Sequence, residues 1–488
     1  MGIVVRQSIS NTIVTYIGFA IGAVNALFMY PLFLGETYYG LTAFILSSAN
    51  ILMPLMAFGV HNTLVKFYSE IRTEEQRSKF FSFMLLLPLL VALPIAFVSL
   101  AFYDSIAGVL SRENPIIYDF AWQIPVVAIC MGYYEIFYAW VKVHLQSVFG
   151  NFVKEVFLRI LISLFLFGVY FEVLTPVEFI YATMLAYFIS TLTMLFFAVR
   201  VKRPVLSFGF PDNVKAVITY SLFIILAGSV ATLLLDIDKT MLGQYVKLEN
   251  IAYYSVAVFM ATTVSVPQRS MHQITYPITA KLMAENKYDE LNDLYKKTSL
   301  TLQIVGGYVL LGILVNIKMI YELLPEQYAG GIFVVFVIGL SKYFDLMLGN
   351  NNSIIFNSKY YRFVLFLGLF LGLVAVFMNM IFIPLYQIDG AAIATLIAIT
   401  LYSLAKLSFV VLKMKLFPFT MKTVYLMLIS IIVFLVFYFW DFPYSPIVNI
   451  ILKSVLLTAV YGYIVYATRL SDDVNSVINK AMSYAKRR

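Results

Sequence analysis

A single cysteine, Cys130, and three histidines, His61, His144 and His272, are scattered through 488 residues. No intramolecular disulfide can form, and no histidine pair has the spacing of a metal centre. Charge is scarce as well: 12% of the residues are Asp, Glu, Lys or Arg, against about 25% in ordinary soluble chains. Neither a phosphate-cradling G-x-x-x-x-G-K-[ST] loop nor an H-E-x-x-H zinc helix occurs, so ATP is not expected as a directly used energy source and no cofactor is expected. No long polar stretch is present to fold as a soluble basic domain, which argues against nucleic acid as a partner despite the excess of 34 basic over 26 acidic residues. A membrane-bound polysaccharide polymerase or acyltransferase would need a large outer loop or an intramembrane catalytic histidine. The outer loops are short, and His61 and His272 have no evident partner.

Apolar residues fill the chain instead, at 61%, more than a water-soluble exterior could hide. Runs long enough to cross a bilayer fall at 11–33, 41–63, 80–103, 119–140, 155–172, 177–199, 216–236, 251–268, 298–319, 331–349, 362–385, 390–410, 422–440 and 447–468. The expectation is an all-α polytopic membrane protein with about 14 transmembrane helices. Met1 to Arg6 run into the first of these without a small-residue cleavage site, as a retained span does. With the N-terminus inside, all basic residues but Arg112, Lys239, Lys247, Lys318 and Lys453 fall on inner segments or the span ends beside them. That bias puts both termini in the cytoplasm.

Outer loops are short, whereas 64–79, 141–154, 200–215 and 269–297 are longer, polar and inner. The segment with Arg200, Lys202, Arg203, Pro204, Gly209 and Pro211 falls after six spans and reads as a linker. The expected organisation is an N-terminal six-helix lobe at 1–200, a linker at 201–215, a second six-helix lobe at 216–410, a helix pair at 411–468 and a cytoplasmic tail at 469–488. Two bundles of six with inner linkers suit alternating access.

Ionisable groups within the hydrocarbon cost about 2.5–3.5 kcal/mol each on insertion scales, so each needs a partner or a purpose. Lys342 and Asp345, three residues apart on one helical face, are either a self-neutralising pair or a cavity-lining pair that meets substrate or a coupling cation. Asn350, Asn351 and Asn352 read as a polar inner helix end. Asp236, Asp238 and Lys239, at the outer end of the seventh span, are a headgroup-level cluster, an outer gate or a cation site. Glu135, among Tyr133, Tyr134 and Tyr138, is a lone carboxylate able to carry a proton or one bonded to a tyrosine hydroxyl. Arg6, Arg159, Arg269 and Lys406 lie near inner span ends. There they snorkel to lipid phosphate or converge, with Lys342, as a cationic mouth for a diphosphate. Coupling to H+ or Na+ would run through Glu135, Asp236, Asp238 or Asp345.

Several segments resemble a known family. Asp238-Lys239-Thr240-Met241-Leu242-Gly243 followed by Tyr253-Tyr254-Ser255-Val256-Ala257 resembles the seventh-to-eighth-span signature of the polysaccharide transporters, the lipid-linked oligosaccharide flippases. Ile383 to Thr395 resembles their eleventh-to-twelfth-span turn, with Asp389 where glycine is more usual. Gly40-Leu41, Lys342 to Asn350, and Asn357-Ser358-Lys359-Tyr360-Tyr361-Arg362 are similar to O-antigen or capsule flippases. The resemblance implies the multidrug, oligosaccharidyl-lipid and polysaccharide exporter superfamily, with its two six-helix lobes in a V shape. It implies a bacterial inner membrane and, as substrate, an oligosaccharide on undecaprenyl diphosphate, moved from the cytoplasmic to the periplasmic leaflet for polysaccharide biosynthesis. Membrane lipids, a polysaccharide polymerase and chain-length proteins are the implied partners. Related lipid II flippases carry arginines in the first lobe, where the first two spans here offer Asn11, Asn25, Asn50, His61 and Asn62. A multidrug or cation antiporter of the same superfamily is the alternative, and the extra pair 422–468 weighs mildly against it.

Overall fold

The computed structural model describes residues 3–68, 70–203, 205–207, 209–476 and 479; the side chains of 3–6, 8, 9, 226–235, 273, 361, 364 and 365 are outside that set. Among the described residues the regular structure is entirely helical. Helix α1 (Ile3–Val24) widens into a π-helical stretch, Asn25–Leu34, that contains Pro31. Helices α2 (Glu36–Met56), α3 (Val60–Tyr68), α4 (Glu74–Ala101) and α5 (Gln123–Val143) follow. Next come α6 (Leu158–Tyr170), entered through the π-turn Val153–Phe157, and α7 (Pro176–Val201). Local sequence sets some of these ends. Thr175 and Glu178 cap the start of α7 reciprocally, with Pro176 at its first position.

The chain continues with α8 (Val214–Leu242), α9 (Leu248–Thr262), α10 (Val266–Ala284), α11 (Tyr288–Val315) and α12 (Ile332–Met347). It ends with α13 (Tyr361–Phe409), α14 (Met421–Tyr438) and α15 (Pro446–Ala467). At 49 residues, α13 would extend about 74 Å if straight, more than twice the roughly 30 Å of hydrocarbon. It is broken at Gln387 (φ 53°, ψ −125°). A Cβ on Gly390 would sit 2.0 Å from the Phe382 carbonyl oxygen, so only glycine lets the chain pass back over itself there.

Among the described residues ten helices are long and apolar enough to cross a membrane, with α13 counted once. The difference from the expected fourteen lies in four places. The broken α13 covers two apolar runs. Helix α6 is only 13 residues long. The eighth run is interrupted by the tight turn Thr263–Ser265. The middle of α8 has no described side chains.

Lipid, not water, is the solvent this exterior fits. Helices α4, α13 and α14 are the most apolar spans yet have only 28%, 28% and 22% of their spanning residues buried, whereas the least apolar, α2 and α5, each have 67% buried. A soluble protein shows the opposite order. Large side chains such as Phe97, Leu100, Phe196 and Leu412 are exposed, where they would meet acyl chains. The molecule is a multi-pass membrane protein.

Backbone contacts divide the chain into two units, Met1–Ser255 and Val256–Arg488. In the first, an apolar core joins Val60 and Leu64 of α3, Phe80 and Met84 of α4, Ile136 and Trp140 of α5, and Met194 and Ala198 of α7. Helix α8 packs along α2 in the same unit. In the second, Leu300, Ile304 and Leu311 of α11 meet Leu426 and Val433 of α14 and Leu457 and Tyr461 of α15. A smaller core gathers Leu282, Leu291, Tyr295, Ile354, Ile355, Val410 and Leu416.

Candidate functional site

In the first unit, charged groups gather where α3, α5 and the π-turn before α6 meet. Glu135 is buried, and Lys154 Nζ donates to its Oε1 at 2.5 Å. Lys142, two turns along α5, lies 3.8 Å over the Tyr138 ring. Both Lys142 and His61 of α3 act electrostatically on Glu135. The sequence reading is corrected here: Glu135 is neither a lone carboxylate nor bonded to a tyrosine. Tyr134 donates to the Gly150 carbonyl (2.5 Å) and Tyr133 to that of Leu85 (3.0 Å). The lysine that pairs with Glu135 stands nineteen residues away on the next helical segment, beyond the reach of any one-helix pattern.

Arg159, expected as part of a cationic mouth, is drawn into an ion pair with Glu155 one turn away (3.1 Å) and donates to the Gly18 carbonyl of α1. It fastens α6 to the first helix. The side chain of Arg6 lies outside the described residues.

At the other end of this unit a polar clasp joins α2 to α8 and the start of α9. Tyr253 donates to Glu36 and Thr37 to Glu249, both at 2.6 Å. Asn114, itself buried, donates to the carbonyls of Gly243 (3.1 Å) and Val246 (2.9 Å) and accepts from the Leu248 amide (3.0 Å). Gly40 permits the close approach, since a Cβ there would fall 1.9 Å from the Leu248 carbonyl oxygen. Deeper in, Thr240 meets Ser47 and Ser48, each at 3.3 Å. Asp238 is buried and accepts from the Tyr254 hydroxyl at 2.6 Å. Lys239 and Asp236 make only a loose ion pair at 4.0 Å, and Asn50 hydrogen-bonds Asp236.

The second unit holds its own network. Lys406, only 1% exposed, donates from Nζ to Asp345 (2.8 Å) and to Asn352 (3.3 Å) and lies 4.2 Å over the Tyr402 ring. Ser403 (3.2 Å) and Gln268 (3.5 Å) also donate to the Asp345 carboxylate. Of the two alternatives for Lys406, snorkelling to lipid phosphate does not occur. Its ammonium turns inward because a carboxylate and an amide oxygen are already there, and reaching lipid phosphate would leave Asp345 uncompensated. Lys342 is half-buried and adds a longer-range field on Asp345. Nearby, Asn350 donates to Thr279 (3.0 Å), Asn351 to Tyr295 (2.6 Å), and Ser353 meets His272 (3.3 Å). The three consecutive asparagines therefore tie α12 to α10, α11 and α13, beyond closing a helix end. Arg269 on α10 is exposed. No group of three or more metal-ligating side chains occurs among the described residues.

Comparison with known proteins gives this arrangement a family. A model of the family described as polysaccharide biosynthesis protein matches residues 4–283, more than half of the chain, and the chain belongs to that family. Among solved structures, lipid II flippase MurJ in an inward closed conformation superposes with a TM-score of 0.74 at 16% identity, covering 95% of this chain and 100% of that one. An inward-facing multidrug resistance MATE transporter of the MOP superfamily gives 0.58 at 13% identity, covering 82% of this chain and 96% of that one. A MOP superfamily transporter from Pyrococcus furiosus gives 0.54 at 16% identity, covering 82% and 93%. At these identities the likeness establishes the fold. No curated protein sequence matches the chain.

Proposed function

We propose that this member of the polysaccharide biosynthesis protein family is a flippase for an oligosaccharide linked to undecaprenyl diphosphate, working from the cytoplasmic to the periplasmic leaflet of a bacterial inner membrane. The observation that carries the reading is the contrast between an apolar exterior and charged networks held among the helices of each unit, Glu135–Lys154 in one and Asp345–Lys406 in the other. A sugar and diphosphate head cannot cross hydrocarbon unaided, while its polyprenyl tail never has to leave it. A flippase needs a greasy outer surface for the tail and polar groups inside for the head.

The clasp around Glu36, Thr37, Asn114 and Glu249 would be the periplasmic closure, broken and remade in each cycle. Its Tyr253–Glu36 and Thr37–Glu249 bonds are part-buried at helix ends, where water can replace them at low cost. Asp236, Asp238 and Lys239 sit just beneath it and are the gate groups in this reading; coupling to a proton or sodium gradient would act there or at Asp345.

The MATE likeness supports a second reading, a drug antiporter, but the inward-facing MATE structure covers 82% of this chain against 95% for the flippase. The test is reconstitution of the purified protein in vesicles with a fluorescent lipid-linked oligosaccharide and a membrane-impermeant quencher. Protein-dependent movement of the label between leaflets is expected. An unchanged leaflet distribution, or efflux of a cationic dye with no sugar movement, rejects the flippase and in the second case favours the antiporter.

A further inference from the structure

The Asp345–Lys406 and Glu135–Lys154 ion pairs differ in one respect that bears on ligand binding. In the Asp345–Lys406 pair the lysine is sealed, with 2% of its side chain exposed. In the Glu135–Lys154 pair the carboxylate is fixed and covered at 11%, but the lysine is 50% exposed. Lys142 is likewise exposed and is held from one side by the Tyr138 ring alone. Two solvent-reaching ammonium groups therefore lie in electrostatic range of a single buried carboxylate, one bonded to it and one not. Nδ1 of His61, in electrostatic reach of the same carboxylate, is buried with no partner. The cluster carries one positive charge in excess, among helix ends that a hydrocarbon surface would penalise. Such an excess leaves the cluster able to take up an anion.

We propose that Glu135 is a resident counter-ion, and that the phosphate groups of the lipid-linked substrate bind by taking Lys142 and Lys154 from it. The identification of the anion as a diphosphate rests on the flippase reading. Two ammoniums match two phosphates, and each lysine offers three donors that can turn from a carboxylate to a phosphate oxygen without moving its backbone. Between substrates Glu135 keeps the lysines from seeking other anions, and after release it takes Lys154 back. The site replaces the basic mouth expected from Arg159 and Lys406, whose charges are already engaged elsewhere.

The full-length protein in detergent is titrated with farnesyl diphosphate and with inorganic pyrophosphate, and the leaflet assay is run in parallel. Both probes are expected to bind, and K142M/K154M is expected to weaken them at least about tenfold, the loss of one or more charge-assisted hydrogen bonds. Glu135→Gln is expected to tighten binding by about threefold or more, because the competing anion is gone. Tightening cannot arise from misfolding, so this variant protects the test from a damaged double mutant. Unchanged affinity in K142M/K154M, or unchanged or weaker affinity in Glu135→Gln, overturns the proposal. Lysine-dependent binding in a protein that moves no lipid-linked sugar would retain the anion site and retire the flippase; sugar movement that ignores both lysines would do the reverse.

Discussion

Replacing Asp345 by Asn should unfold the second unit far more readily than replacing Glu135 by Gln affects the first. Asp345→Asn keeps size and hydrogen-bonding capacity but removes the charge 2.8 Å from Lys406. Lys406 is buried to 1% exposure, and its other contacts are a neutral amide oxygen at 3.3 Å and the Tyr402 ring. An ammonium left in such a place costs about 3–5 kcal/mol, a large share of the roughly 5–15 kcal/mol that holds a folded protein together. Lys154, half in contact with solvent, would be hydrated once Glu135 is neutralised, and that loss should stay near about 1 kcal/mol. The measurement is thermal unfolding of each variant in the same detergent, with D345L/K406M as the control that removes both charges. The double replacement should recover most of the loss, since paired buried charges often exchange for apolar groups at little cost. Equal destabilisation by Asp345→Asn and Glu135→Gln, or a double variant no better than Asp345→Asn, would show that burial of Lys406 is not what makes the pair matter.

The clasp supplies two further expectations. Gly40→Val places a side chain where a Cβ already falls 1.9 Å from the Leu248 carbonyl oxygen, so the clasp should stay open; a cysteine introduced at Thr37 should react with an impermeant maleimide in this background and be protected without it, and equal labelling in both refutes the closure. Asn114→Ala removes three hydrogen bonds to the stretch Gly243–Leu248, a loss of about 2–4 kcal/mol at roughly one each plus the orphaned backbone groups, and should raise the same labelling more than Ser48→Ala, which loses a single 3.3 Å bond.

Much of the architecture was legible because the membrane simplifies the code. Every backbone polar group must be satisfied within its own segment, so an apolar run long enough to span becomes helical, and most of each apolar run lies on helical backbone, with turns at 57–59 and 121–122 inside two of them. What sequence could not deliver is where a run is interrupted. An exception is Gln387, which adopts φ 53° in the short segment 386–390, where Gln387, Asp389 and Gly390 separate two apolar stretches and make the hairpin legible. The break at Thr263–Ser265 carries no glycine; Pro267 two residues on was its one visible mark.

The polar groups were legible singly and not in pairs, and the reason is geometric. Within one helix the eye finds partners at three or four residues, which is how Lys342 was matched with Asp345. The structure draws the close partner from another helix, sixty-one residues away, as it does for Glu135 and Lys154; Lys453 likewise looks beyond its own helix, to Asp441 in the preceding connection and to the Val315 carbonyl of α11, each at 2.8 Å. Lipid favours this choice. Contacts between helices gain nothing from hiding apolar surface when the surroundings are equally apolar, so a charge neutralised by its own helix leaves that helix free to drift. The same charge neutralised by a neighbour fixes which helices touch and at what depth. Arg159 shows the two roles divided within one side chain: Glu155 one turn before it answers the charge, while the Gly18 carbonyl of α1 takes another of its donors. The lysine that keeps an exposed end, Lys154, is the one that can serve a passenger as well as the fold.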